Sequence, residues 1–67
     1  MTIYCNEKGF AVENGISLLL FLQQNNFTSQ KGIAAAVNNR IAPQASWESH
    51  ILTEGDKILI IQATKGG

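Results

Sequence analysis

The feature that most limits what this chain can fold into is the run Lys57-Ile58-Leu59-Ile60-Ile61-Gln62-Ala63, which comes after every other regular segment. Four consecutive β-formers predict a strand buried on both faces, and therefore a strand in the middle of a sheet. Its neighbours must then come from earlier in the chain. Thr2–Asn6 and Phe10–Asn14 read as two short strands, with Glu7-Lys8-Gly9 as a three-residue hairpin connection. If the first strand carries that hairpin and borders the last, the two run parallel.

The middle of the chain supplies what such a sheet needs to pack on. Asn14-Gly15 ends the second strand, and Ser17 is an N-cap for a helix starting at Leu18. Leu18, Phe21, Leu22 and Asn25 share one helical face, Leu20 points almost opposite, and Leu19 lies on the border. Gly32 resets the chain, and Ile33–Val37 reads as a strand closed by an Asn38-Asn39 turn. Arg40-Ile41-Ala42 is a short extended piece stopped by Pro43, which suits an edge because proline cannot donate to a ladder. Gln44 to His50 reads as a helical turn that lays Trp47 over the core, and Glu54-Gly55-Asp56 as a solvated turn. These elements predict an α+β domain over residues 1–63. Its architecture is the β-grasp (ubiquitin-like) one, a mixed sheet of four to five strands packed on one main helix. A flexible Gly-Gly tail follows at 64–67.

Composition narrows the function. Sixty-seven residues make one domain, close to the lower limit for a core without metal or disulfide. Five cationic and five anionic side chains cancel, with no basic cluster to release counterions from nucleic acid. The longest apolar run, Leu18 to Leu22, is far short of the ~20 residues of a membrane span. A start without a charged, apolar leader, together with a lone cysteine, points to the cytoplasm. One Cys and one His cannot supply a zinc site. Cys5, mid-strand beside Ile3, reads as a small buried hydrophobe, and His50 as a capping or solvated residue. Glu54 and Asp56 read as turn residues rather than a metal or acid–base pair. Leu19 and Leu20 are either ordinary solvent-side leucines or a docking patch.

The reactive group is instead sought at the end. Gly66 and Gly67 bring no side chain to a core and lose the most backbone freedom when ordered. Their use is thinness, since a chain without Cβ atoms threads a slot closed to other residues. From Thr64 to Gly67 the tail reaches on the order of 13 Å when extended, enough to enter a partner's active site while the body stays outside. Read alone, the two glycines are equally compatible with a frayed end.

The stretch Ala36-Val37-Asn38-Asn39-Arg40-Ile41-Ala42-Pro43, with Trp47 just beyond it, resembles the middle of the thiamine-pathway sulfur carriers, the ThiS family. Leu52, Glu54-Gly55-Asp56-Lys57-Ile58-Leu59-Ile60-Ile61 and the terminal Gly66-Gly67 resemble that family's last turn, strand and tail, and Gly15-x-Ser17 its helix entry. The resemblance spans essentially the whole chain. It implies a protein cosubstrate rather than an enzyme, with no cofactor of its own. A ubiquitin-activating-type adenylyltransferase would use Mg-ATP to adenylate Gly67, with Lys65 and Gly66 threading its slot. A cysteine desulfurase would provide persulfide sulfur, and the Gly67 thiocarboxylate would pass it to thiazole synthase. The small subunit of molybdopterin synthase resembles the same pattern, and an inert β-grasp interaction module is the alternative from another class. Sheet-face residues near Ile41 and Ile60 are the expected docking patch.

Overall fold

The first and last strands lie side by side in the middle of the sheet. The computed structural model describes residues 1–25, 27 and 32–62. Its strands are β1 (Thr2–Cys5), β2 (Lys8–Ala11), β3 (Ile33–Val37), β4 (Arg40–Ala42) and β5 (Lys57–Gln62), with helix α1 (Leu18–Gln24) after β2. The sheet order is β2-β1-β5-β3-β4. Strand β5 is parallel to β1, pairing Tyr4 with Lys57 and Cys5 with Ile58, and antiparallel to β3 along Ile33–Val37. This is the expected β-grasp arrangement, with β5 central. Ala63 and the proposed boundary between 63 and 64 lie outside the described residues.

The β1–β2 hairpin turns on two residues rather than three. Asn6 (φ 52°) and Glu7 (φ 71°) are both left-handed, the geometry of a type I′ turn, whose twist matches that of the flanking strands. Lys8 therefore already pairs with Cys5, and Gly9 lies within β2 opposite Tyr4. The second strand accordingly spans 8–11, not 10–14. Cys5 closes β1 rather than sitting within it. The β3–β4 hairpin repeats the device, with Asn38 (φ 52°) and Asn39 (φ 72°) at its turn.

Helix α1 starts where capping chemistry requires. Ser17 Oγ accepts from the Leu20 N–H at 3.1 Å, satisfying one of the donors a helix start leaves open. Asn25 closes the other end, its Nδ2 donating to the Phe21 carbonyl at 2.9 Å. Leu18, Phe21 and Leu22 are fully buried, Leu19 packs partly against the core, and Leu20 is exposed. These apolar side chains meet Ile3, Cys5, Ile58 and Ile60 from the sheet. Each large one contributes on the order of 1.5–3 kcal/mol by leaving water. Phe10, opposite Ile3 in β2, meets Phe21 edge-on with ring centroids 5.3 Å apart.

Trp47 closes the end of the core. The helical turn is shorter than the 44–50 expected, a 3-10 turn over Gln44–Ser46. It is long enough to bury the indole, whose Nε1 donates to the Ala42 carbonyl at 2.7 Å. The segment around it is also tied to the helix start, since the Leu18 and Leu19 N–H groups donate to the carbonyls of His50 and Trp47.

One expectation about β5 fails. Ile58 and Ile60 are buried, but Leu59 and Ile61 are about half exposed. The strand is central by hydrogen bonding and still half-open by packing. The described residues hold one α-helix, and one helix covers one face of a sheet.

Candidate functional site

Lys65, Gly66 and Gly67 lie outside the described residues, so the platform they extend from carries the geometry. Its main feature is the uncovered face of the sheet. Register places Ile41, Ala36 and Leu59 in one row across β4, β3 and β5. Ile61 follows two residues along β5, and Tyr4 stands on β1 beside Lys57. Of the six exposed large hydrophobics among the described residues, four belong to this face: Tyr4 (42 %), Ile41 (65 %), Leu59 (51 %) and Ile61 (44 %). They line an open trough of about 800 Å³, rimmed by Asn6, Glu7, Asn38, Asn39 and Lys57. An apolar floor with a polar, mixed-charge rim is the anatomy of a protein-docking surface.

Only one of the two docking residues read from sequence faces outward. Ile41 is the most exposed member of the trough, whereas Ile60 is 8 % exposed and shares the core row with Ala35 and Ala42. In a strand, neighbouring side chains point to opposite faces, so Leu59 and Ile61 occupy the surface assigned to Ile60. An unbroken Ile-Leu-Ile-Ile run does not reveal which parity faces in. The signal lay in β1, where Ile3 and Cys5 can only be the inner pair. Leu20 is on the outer side of the helix, with the sheet between it and the trough, and does not extend this patch.

Asn6 joins β1 to β5 where the ladder would otherwise end. Strand β1 stops at Cys5, yet β5 continues for four more residues past Ile58. The Asn6 N–H donates to the Ile58 carbonyl at 2.9 Å. Its side-chain Oδ1 then accepts from the Ile60 N–H, also at 2.9 Å. An amide oxygen thus stands in for the next carbonyl of a strand that has already turned away.

The turn read as solvated is exposed at Glu54 and Gly55 but not at Asp56, which forms a buried junction. Asp56 is 8 % exposed. Its carboxylate accepts from the Thr53 N–H at 2.8 Å, from Thr53 Oγ1 at 3.0 Å and from Asn38 Nδ2 at 3.0 Å. Asn38 in turn accepts the Lys57 N–H on its Oδ1. Burial by itself would raise the Asp56 pKa. The Thr53 backbone bond, the Asn38 and Thr53 side chains and the nearby His50 outweigh it, and hold the group below the usual aspartate value. Glu54 is also engaged, accepting the Thr2 N–H at 3.0 Å. These acids hold the ends of β1 and β5 and the β3–β4 turn in register, so their role is structural.

The remaining candidates are quiet. Cys5 is buried, and desolvation pushes its thiol up. His50 is half-buried, its carbonyl accepting from the start of α1. Among the described residues, no group of three or more His, Cys, Asp or Glu is placed to hold a metal. No helix among them is long and apolar enough to cross a membrane.

Comparison with known proteins agrees with the topology and extends past it. The sulfur carrier protein ThiS of Escherichia coli strain K12 is 34% identical over 67 residues, covering all of both chains. A crystal structure of the thiamine biosynthesis protein ThiS from Geobacter metallireducens superposes with a TM-score of 0.85 at 14% identity, over the whole of both chains. A solution structure of a thiamine biosynthesis protein from the same organism superposes at 0.77 and 14% identity, over all of this chain and 88% of that one. At such identities the two structures speak to the fold alone. The profile of the ThiS family matches residues 3–67, strands, helix and terminal glycines together, and the chain belongs to that family.

Proposed function

We propose that this protein is a sulfur carrier of thiamine biosynthesis, working in the cytoplasm, and that Gly67 is the residue that carries the sulfur. The observation that carries the reading is the extent of the family match, which covers residues 3–67 and so includes Lys65, Gly66 and Gly67. The relative that is 34% identical over the whole chain is a sulfur carrier protein ThiS, which favours a thiazole rather than a molybdopterin acceptor.

The chemistry needs the free carboxylate and an outside source of activation. A carboxylate repels nucleophiles and has no good leaving group. A ubiquitin-activating-type adenylyltransferase, which binds the Mg-ATP, lets a Gly67 carboxylate oxygen attack the α-phosphate and expels pyrophosphate. The terminal sulfur of a persulfide, generated from cysteine by a desulfurase, then attacks the acyl carbon and expels AMP. A thiol reductant cleaves the resulting S–S bond, leaving the thiocarboxylate on Gly67 and a disulfide elsewhere. The thiocarboxylate is the better nucleophile and passes its sulfur to thiazole synthase. Domain 1–63 serves as the handle and 64–67 as the arm. The trough of Tyr4, Ile41, Leu59 and Ile61 is the docking face, since an enzyme that holds the end of this arm sits within reach of β5. Orientation in the partner's site supplies the rate.

The test is ATP–pyrophosphate exchange with the cognate adenylyltransferase. The chain ending at Gly67 supports exchange, and a variant with one residue added after Gly67 does not, although its circular dichroism is the same. Intact mass after complete reaction shows one oxygen replaced by sulfur. Equal exchange by the extended variant rules the reading out.

A further inference from the structure

The β3–β4 hairpin fixes which backbone groups of β4 stay free. Its turn has two residues, Asn38 and Asn39, both left-handed. Val37 and Arg40, on either side of it, therefore exchange both backbone hydrogen bonds. The next pair, Ala36–Ile41, is then the wide one, and the Ile41 N–H and C=O point away from β3. The Asn38 N–H agrees with this alternation, donating at 2.7 Å to the Lys57 carbonyl on the opposite side of β3. Strand β4 is the last in the sheet, and among the described residues no hydrogen bond reaches the Ile41 N–H or C=O. One donor and one acceptor thus stand at an open edge, beneath the most exposed large hydrophobic side chain of the described residues. The opposite edge, β2, turns out Gly9 and Ala11 by the same rule, and neither carries more than a methyl group.

A strand added here meets two different surfaces. Successive side chains alternate, so the residue opposite Ile41 lies on the trough face and its neighbours lie with Arg40 and Ala42 on the other. On that other side a cleft of about 550 Å³ opens, lined by Arg40, Ser46, His50, Ile51 and Thr53. Asp56 also reaches it, but its carboxylate oxygens already accept from Thr53 and Asn38. The guanidinium of the exposed Arg40, with its five N–H donors, is the group left to meet a ligand. We propose that β4 takes an extended segment of the activating adenylyltransferase as one more strand, with an apolar residue beside Ile41 and an adjoining Asp or Glu on Arg40. Ile41 borders both the trough and the cleft, so the added strand continues the apolar face. A second copy fits the edge less well. Two-fold pairing about Ile41 puts both Arg40 side chains on the cleft face, where like charges repel. The identity of the partner rests on the sulfur-carrier reading above; the open edge does not.

The experiment follows amide hydrogen exchange, residue by residue, in the full chain alone and in complex with the cognate adenylyltransferase. The Ile41 amide should exchange fast in the free chain and about 10-fold or more slowly in the complex, while Gly9 and Ala11 keep their rates. A chemically synthesised chain with a methyl group on the Ile41 nitrogen keeps the β3–β4 bonds and blocks the edge. Its Kd should rise about 10-fold, whereas the same change at Ala11 should move Kd by less than about 2-fold. Arg40→Glu should weaken binding by about 10-fold or more. Lys8→Glu, the same charge change on the β2 edge, should leave it near wild type. An Ile41 amide that stays unprotected in a complex still active in pyrophosphate exchange overturns the inference and leaves the carrier reading standing. An R40E chain that binds as wild type overturns it as well. So does Ile41 protection that rises with the concentration of the free chain, which would assign the edge to a second copy. A wild-type chain that the adenylyltransferase neither binds nor activates overturns the sulfur-carrier reading and this inference with it.

Discussion

Replacing Asp56 by alanine removes an acceptor that three donors share, and the structure sets the size of the loss. Hydrogen bonds to a charged group are each worth about 1.5–3 kcal/mol, so a simple sum overshoots. Thr53 and Asn38 are themselves exposed, so their side-chain donors return to water once the carboxylate is gone. The lasting loss is the bond to the Thr53 N–H together with the closure of the turn, about 2–3 kcal/mol in all. A domain of this size has only about 3–5 kcal/mol to lose, and the melting temperature should fall by about 10–20 °C. Urea titration followed by the fluorescence of Trp47, the only tryptophan, measures it directly. Asp56→Asn refines the test, because an amide offers donors where the carboxylate met donors. The native pKa is depressed, so the stabilisation is complete above the unfolded value of about 4 and fades as pH falls through the native one. The gap between wild type and D56N should therefore shrink on acidification below about pH 4. A D56A midpoint equal to wild type, or a D56N gap that ignores pH, would refute the junction described here.

Two other outcomes follow from the strand parity and from the thiol. Ile41→Asp and Leu59→Asp should keep the melting temperature within about 3 °C, as surface changes do, and reduce activation by the adenylyltransferase about 10-fold or more. Ile60→Asp, which puts a charge in the core row, should fail to give a cooperative thermal transition; a folded, activated I60D would reverse the assignment of faces. Cys5 should react with a thiol reagent at a rate that follows unfolding, slowly in buffer and fast in urea. Equal rates in both would mean that the thiol is accessible in the native fold.

The architecture was largely legible because it rests on signals that agree. The terminal apolar run, the Ser17 cap and the Leu18-Phe21-Leu22 stripe each point to the same sheet-on-helix packing, and the structure contains all three. What was not legible depends on parity and on partners distant in sequence. Gly9 drew the hairpin loop toward itself, whereas the turn is made by Asn6 and Glu7, because asparagine also tolerates left-handed backbone. The Glu54-Gly55-Asp56 segment has a turn's composition; Thr53, three residues away, is a local partner of Asp56, but nothing local indicates that Asn38 joins them. Ile60 was read as outward for the same reason, since the direction of an apolar strand is decided by what packs on it. The chemistry proposed for Gly67 rests on motif resemblance; what the body of the protein adds to that proposal is the exposed apolar face of Tyr4, Ile41, Leu59 and Ile61.

The parallel contact between Tyr4 and Lys57 also governs how this molecule comes into being. Until β5 arrives, the chain holds two detached ribbons, β1–β2 and β3–β4, and ribbons of two strands are barely stable in water. The closing segment is the keystone that joins them, so assembly waits on a pairing between the two ends of the sheet's sequence and proceeds all at once. Every molecule that has seated its keystone has, by the same act, brought Tyr4, Ile41, Leu59 and Ile61 onto one face, and a half-built one presents no such surface.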